Sequence, residues 1–186
     1  MHKLFMLLIG CTPGGRNIEQ HDVFFGIGET IKDLIPAMIE FWPEAKGKLH
    51  IDAWREVTTV NGHSTKVIQG VATKTGSPAE LFFINLGGYK PGEFEEFHYK
   101  MIIAAANKTE AIGLSKETAF FKHTGFRGAN SHIDDKYGID VDDVFEITDI
   151  LSKETKEQFH ILVTPGKHPL VEDEIHLGYF KLGMFQ

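Results

Sequence analysis

LFMLLIGCTPGGRNIEQHD at 4–22 and LFFINLGGYKPGEFEEFHY at 81–99 are one pattern written twice. Leu4-Phe5, Gly10, Gly15, Glu19 and His21 recur as Leu81-Phe82, Gly87, Gly92, Glu96 and His98, each 77 positions on (81−4, 87−10, 98−21). After an insertion, His50-Ile51-Asp52 recurs as His132-Ile133-Asp134, now 82 on (132−50). A period this long is unlike a solenoid and fits two fused half-domains. The repetition also singles out the polar residues present in both copies.

Working outward from the first copy, Leu4 to Ile9 is a continuous apolar run that suits a buried strand. CTPGGRN at 11–17 is punctuated by proline and glycine and reads as a loop. HDVFFGIG at 21–28 is a second strand, and Thr30-x-x-Asp33 opens a helix of about 30–42 in the manner of a capping box. KLHIDAWREV at 48–57 alternates as a third strand, Asn61-Gly62 signals a hairpin, and TKVIQGVA at 65–72 returns. A helix running unbroken from Glu19 to Trp42 would bury Gly26 and Gly28 in its interior, where glycine is unfavourable.

The second copy repeats this order. Asn107-x-x-Glu110 stands at the same offset as the first cap and opens a helix reaching about Lys122. SHIDDKYGID follows as a strand and FHILVTP as its return, with EIHLGYFKLG at 174–183 an extra C-terminal strand. The expected fold class is α+β: two tandem β-β-α-β-β repeats, antiparallel-rich mixed sheets, helices on one face. Residues 1–76 form repeat one and 77–186 repeat two, joined near 74–79 into one compact pseudo-symmetric unit.

Composition narrows the function classes. The 186 residues are 42% hydrophobic and 24% charged, enough for a packed core. A net charge of −7 with no basic stripe argues against nucleic acid as a partner. Lys3 followed by LFMLLIGC imitates a lipoprotein signal, but the equivalent LFFINLG lies mid-chain and can only be structure. No apolar run is long enough to span a membrane, and a single cysteine suits a reducing, cytoplasmic setting.

The repeated polar residues converge if the second and third strands are joined by a right-handed crossover and so run parallel. Their N-terminal ends then share one edge with the loop at 11–17. Period-two alternation puts His50, Asp52 and Trp54 on one strand face and Ile51 and Ala53 on the other. Three kinds of chemistry arise at that edge. His21, Asp22, His50 and Asp52 are candidate acid/base groups. A divalent metal is the candidate cofactor, with His21, His50 and Asp52 as ligands and His98, His132 and Asp134 in the second copy. Gly14, Gly15 and Arg16, with Trp54 beside them, are candidate contacts for a small anionic ligand.

Each has a plain structural counterpart. The His and Asp residues suit the polar face of a half-exposed sheet, the glycine loop suits a turn, and Trp54 suits a core. Asn17 stands where a P-loop needs Ser or Thr, and a strand follows rather than a helix, so an NTPase is rejected. The acidic run from Asp134 to Asp149 lacks EF-hand order and reads as a solvated loop. Cys11 pairs with Gly88 in the second copy and reads as a buried thiol, not a nucleophile.

LIGCTPGGRNIEQHDVFFGIG (8–28), KLHIDAWREV (48–57) and SHIDDKYGIDVDDVFEI (131–147) resemble domain-of-unknown-function family 1543, a small, mainly bacterial family whose module occurs once or twice per chain. The resemblance implies a duplicated module and carries no activity or catalytic residue with it. Two function classes remain open: a binding protein or enzyme for a small anionic metabolite at the first His/Asp edge, metal-assisted or not; or a non-catalytic interaction module whose polar face joins the halves or forms a homodimer. A duplicated fold of the vicinal-oxygen-chelate kind is disfavoured by the early hairpin.

Overall fold

The computed structural model describes residues 1–70, 78–89, 92–117, 139–167 and 170–185. The fold is α+β, strand-rich and antiparallel, with few helices. The chain forms two compact units rather than one: Met1–Gly76 with Leu151–Gln186, and Ser77–Ile150.

The first unit is built on strand β1 (Lys3–Cys11), flanked by β2 (Gln20–Gly28) and β3 (His50–Glu56). Both neighbours run antiparallel to β1, so they are parallel to each other across it. The segment between them holds helix α1 (Ile31–Phe41). Thr30 opens α1, and the Asp33 carboxylate accepts the Thr30 N–H at 2.8 Å and its hydroxyl at 3.0 Å. These bonds answer donors that a helix start leaves unpaired. Pro36 lies inside the helix, and Pro43 begins a short 3-10 turn beyond it. Ile31, Leu34, Ile35 and Met38 of α1 pack on Phe5, Leu7, Ile9 and Cys11, the odd-numbered face of β1. Removing any one of these fully buried side chains costs about 2–5 kcal/mol.

The continuation departs from the expected repeat. β4 (Thr59–Val60) turns at Asn61-Gly62, where φ is 33° and 83°, into β5 (His63–Gln69). Two successive positive φ values are what a two-residue hairpin loop requires. β5 then pairs antiparallel with β9 (Phe159–Pro165), from His63↔Pro165 to Gln69↔Phe159. FHILVTP therefore returns onto the first unit. β10 (His176–Lys181) joins it too, pairing with β3 at the edge of a four-stranded sheet ordered β10-β3-β1-β2. Hydrogen bonding, not sequence order, decides membership, so residues 151–186 leave the repeat-two boundary of 77–186.

The second unit contains β6 (Glu80–Tyr89), β7 (Glu96–Ala105), helix α2 (Lys108–Lys116) and β8 (Ile139–Glu146) in a sheet ordered β7-β6-β8. Asn107 caps α2 by accepting the Glu110 N–H at 3.0 Å. The helix ends at Lys116, short of Lys122. Ile84, Leu86, Met101, Ile103 and Ala111 form its core, with Val141 and Val144 packed against them. The acidic run is thus no loop over 139–146: the apolar positions between its carboxylates seat it as a strand. Helices α3 (Ile147–Ile150) and α4 (Lys153–Gln158) follow. Among the described residues no helix is long and apolar enough to cross a membrane.

Candidate functional site

Gly10 is the floor of the site. It pairs with His21 on β2 and with His50 on β3, so both histidines flank it on one face of the sheet. A β-bulge then does the rest. Leu8 pairs with Ala53 and Ile9 with Ile51, leaving Asp52 as the extra residue. A bulge re-aims side chains next to it. Ile51 stays in the core opposite Ile9, while Asp52 joins the histidines over Gly10. A Cβ at Gly10 would come within 2.6 Å of His50 Nε2, 2.9 Å of Asp52 Oδ2 and 3.0 Å of His21 Cδ2. The glycine is there because the side chains above it occupy the space.

Glu19 completes the group. His21 Nε2 lies 3.1 Å from Asp52 Oδ2 and 3.6 Å from Glu19 Oε2. His50 Nε2 lies 3.3 Å from Asp52 Oδ2 and 3.3 Å from Glu19 Oε1. Glu19, His21 and His50 can each aim one atom at a common point, and Asp52 Oδ2 lies beside both imidazoles. His50 is 4% exposed, and its ring stacks on Tyr179 at 4.2 Å. Its Nε2 and Asp52 Oδ2 are buried, and neither has a hydrogen-bond partner. A buried polar atom without a partner costs about 1–3 kcal/mol. Four atoms held about 2.1 Å from one ion would stand about 3.0–3.4 Å apart, which is close to the spacing found. Zinc, manganese and iron(II) all accept such mixed nitrogen and oxygen ligands.

The other sequence candidates fall elsewhere. Asp22 pairs with Ile9, one residue off the His21 register, and its carboxylate accepts the Val23 N–H at 2.7 Å. Glu19, two residues before His21 and repeated as Glu96, is the carboxylate that alternation should have selected. Trp54 pairs with Leu7 and packs against the core; the bulge has moved it to the face opposite His50. Its ring stacks on His176 at 3.8 Å. Gly14, Gly15 and Arg16 sit in the exposed β1–β2 loop, and Arg16 makes no side-chain ion pair among the described residues. Gly15 has φ of 82°, and so has Gly92, so this repeated glycine turns the chain through a left-handed position. Cys11 is in the core, where burial and then Glu19 and Glu44 push its thiol above the ordinary range, which disfavours the thiolate. A roomier cleft of about 580 Å³ lies at the other end of β1, around Gly28 and Asp33. Asp33 already caps α1 there, held below the usual carboxylate range first by the Thr30 N–H.

The second unit carries the same framework. Gly87 pairs with His98 on β7 and with Asp140 on β8. The bulge recurs between Asn85 and Leu86, which pair with Asp143 and Val141 and leave Asp142 as the extra residue. Asp142 therefore holds the place of Asp52, 90 positions on (142−52). His132 and Asp134 lie outside the described residues. His98 Nε2 is 3.4 Å from Asp142 Oδ2 and 4.0 Å from Glu96 Oε2. All three residues are exposed, unlike His50. A Cβ on Gly87 would collide with the Asp142 carboxylate.

Residues 16–67 match the model of a family described as Domain of Unknown Function (DUF1543). The matched stretch contains Glu19, His21, His50 and Asp52. Among curated proteins none matches the chain. The fold is similar to the crystal structure of a protein Il1583 from Idiomarina loihiensis, with a TM-score of 0.63 at 20% identity over 98% of both chains.

Proposed function

With residues 16–67 belonging to domain-of-unknown-function family 1543, we propose that the first unit binds a divalent transition metal through Glu19, His21, His50 and Asp52, and that the ion serves to hold or turn over a small anionic metabolite. The carrying observation is that the buried atoms His50 Nε2 and Asp52 Oδ2 make no hydrogen bond although Glu19 Oε1 stands 3.3 Å from the first and His21 Nε2 3.1 Å from the second. Polar atoms are not buried bare without a partner that satisfies them. An ion accounts for all four groups at once, whereas a hydrogen-bonded His–Asp pair accounts for only two. Glu19 and His21 are exposed, which leaves an approach open from solvent. Arg16, three residues before Glu19 in the exposed loop, supplies positive charge on that side. A metal there would act as a Lewis acid toward an oxygen of the anion.

In this reading the two units are copies of one module. Shared glycines, a shared bulge and the shared Glu-x-His support it. The second copy would be the weaker binder, since its three ligating groups are exposed and one imidazole fewer is present at the matching register.

The test is elemental mass spectrometry on full-length protein purified without an affinity tag or chelator. About one equivalent of zinc, manganese or iron per chain, lost in His50→Ala and retained in Asp142→Ala, is the expected result. A wild-type protein that takes up none of these metals, even after incubation with each, would overturn it. A second reading rests on edge strand β10, where Leu177 and Tyr179 are exposed. Such an edge favours a homodimer, which light scattering would register as a doubled mass.

A further inference from the structure

Bordered by His50 and Tyr179, a cleft of about 440 Å³ opens between α1, the turn before β3 and the end of β10. Its size lies within the range of small-molecule sites, about 300–1,000 Å³. Its walls are aliphatic: Ile35 and Ile39 from α1, Leu49 before β3, and Leu182 after β10. Two cations stand among them, Lys48 and Lys181, and neither makes an ion pair with a described residue. Among the described residues no carboxylate lines the cleft, although the chain has 26 acidic residues against 19 basic. Segregation of positive charge on an acidic protein marks a place suited to an anion. Gly47 and Gly183 border the same space, and a Cβ on either would meet nothing within 4 Å.

We propose that this cleft binds a medium-chain carboxylate, its aliphatic body against Ile35, Ile39, Leu49 and Leu182 and its carboxylate between Lys48 and Lys181. Of the four apolar side chains only Ile39 is exposed, the other three belonging to the core; a polyvalent phosphate ester would leave Ile39 without a counterpart, and a neutral lipid would leave the two ammonium groups without one. A carboxylate on a short chain satisfies both. The inference goes beyond the metal reading and does not depend on it. His50 lines the cleft, yet its Nε2 belongs to the cluster, and none of the other three ligands borders this space.

Calorimetric titration of the full chain with sodium octanoate, with octanamide as the uncharged counterpart, tests the assignment. Saturable octanoate binding in the micromolar to low millimolar range is expected, with octanamide about tenfold weaker or more. Lys48→Met with Lys181→Met keeps the apolar stems and removes the charges; it should lower octanoate affinity about tenfold or more and leave octanamide unchanged. Gly183→Leu fills the cleft from a position with open space, and should abolish binding of both without lowering Tm. His21→Ala disables the metal cluster and should leave octanoate binding intact. Equal affinity for octanoate and octanamide, or octanoate affinity unchanged in both cleft variants, would overturn the proposal. So would loss of octanoate binding in His21→Ala, while failure to bind metal alone would strike only the metal reading.

Discussion

The groups above Gly10 and above Gly87 are set out by the same backbone and differ in what surrounds them. In both, a glycine on the central strand pairs with a histidine, a bulge lifts an aspartate, and a glutamate stands two residues before the histidine. In the first unit a second imidazole, His50, is buried beneath Tyr179. In the second, all three groups are exposed. Geometry alone thus brings ligands together; burial decides whether they are held. Exposed carboxylates and imidazoles are satisfied by water and can turn away, whereas His50 has no such alternative. The difference teaches that the same backbone can gather these side chains with or without burying one of them, as it buries His50.

The sharpest way to break this comparison is Gly10→Ala against Gly87→Ala. The first introduces a methyl into space held by His50, Asp52 and His21. Overpacking of this kind costs about 1–3 kcal/mol, and metal affinity should fall by about 10–100-fold, read as lost metal content by mass spectrometry after dialysis. Gly87→Ala should displace Asp142 and leave the first unit's metal in place. Equal loss in both variants would mean the two sites contribute alike.

Chelation comes next. If the ion binds the folded state alone, metal at about 100 times its dissociation constant stabilises by about 2.7 kcal/mol. For a chain of this size that moves Tm by about 5–11 °C. EDTA should produce this drop in wild type and in Asp142→Ala, and no drop in His50→Ala, by differential scanning calorimetry.

The helix caps give a smaller contrast. α1 is capped by the Asp33 carboxylate, held below its usual range first by the Thr30 N–H, while the Asn107 cap of α2 is an amide. A depressed aspartate contributes stability that is complete above the ordinary aspartate range and is lost as pH falls through its folded value. Melting followed from pH 6 down to about pH 2 should show a component that disappears in Asp33→Asn. An identical pH profile in that variant would remove Asp33 from the account.

The smallest expected effect has the opposite sign. Burial, then Glu80 and Asp149, raises the Glu146 carboxyl on β8. The folded state then binds its proton more tightly than the unfolded chain, so stability falls as pH rises through the window between them. Glu146→Gln should raise Tm slightly at neutral pH and lose that advantage below the ordinary glutamate range. An unchanged Tm at pH 7 would show that the three charges are relaxed by solvent.

Much of this was legible in the residues because its causes are local. Gly15 and Gly92 share a left-handed turn, Gly10 and Gly87 share a space that a methyl would fill, and both helices open on side chains that take up free N–H groups. What was not legible depends on events that leave no local mark. One bulge residue inverts the alternation after it, which is why Trp54 belongs with the core while Asp52 stays with His50. An acidic run offers many aspartates at similar spacing, and it is the register to Gly87 that points to Asp142. Glu19 was visible in the repeat yet passed over for Asp22, which is adjacent in sequence and off the His21 register. The pairing of β5 with β9 joins residues 90 to 102 apart (159−69, 165−63) and leaves no trace in either strand.

That last pairing sets an order of assembly. Synthesis runs from β1 towards β10, so the first unit, which includes residues 151–186, is completed after the second. β3 stays an open edge, and His50 lacks the ring that covers it, until Tyr179 has emerged. The second unit, contiguous from Ser77 to Ile150, has all its strands available before then. Contacts of long sequence separation close late because the loop entropy must be met before they form. During synthesis, the histidine that is most buried among the described residues is therefore left uncovered until β10 has emerged.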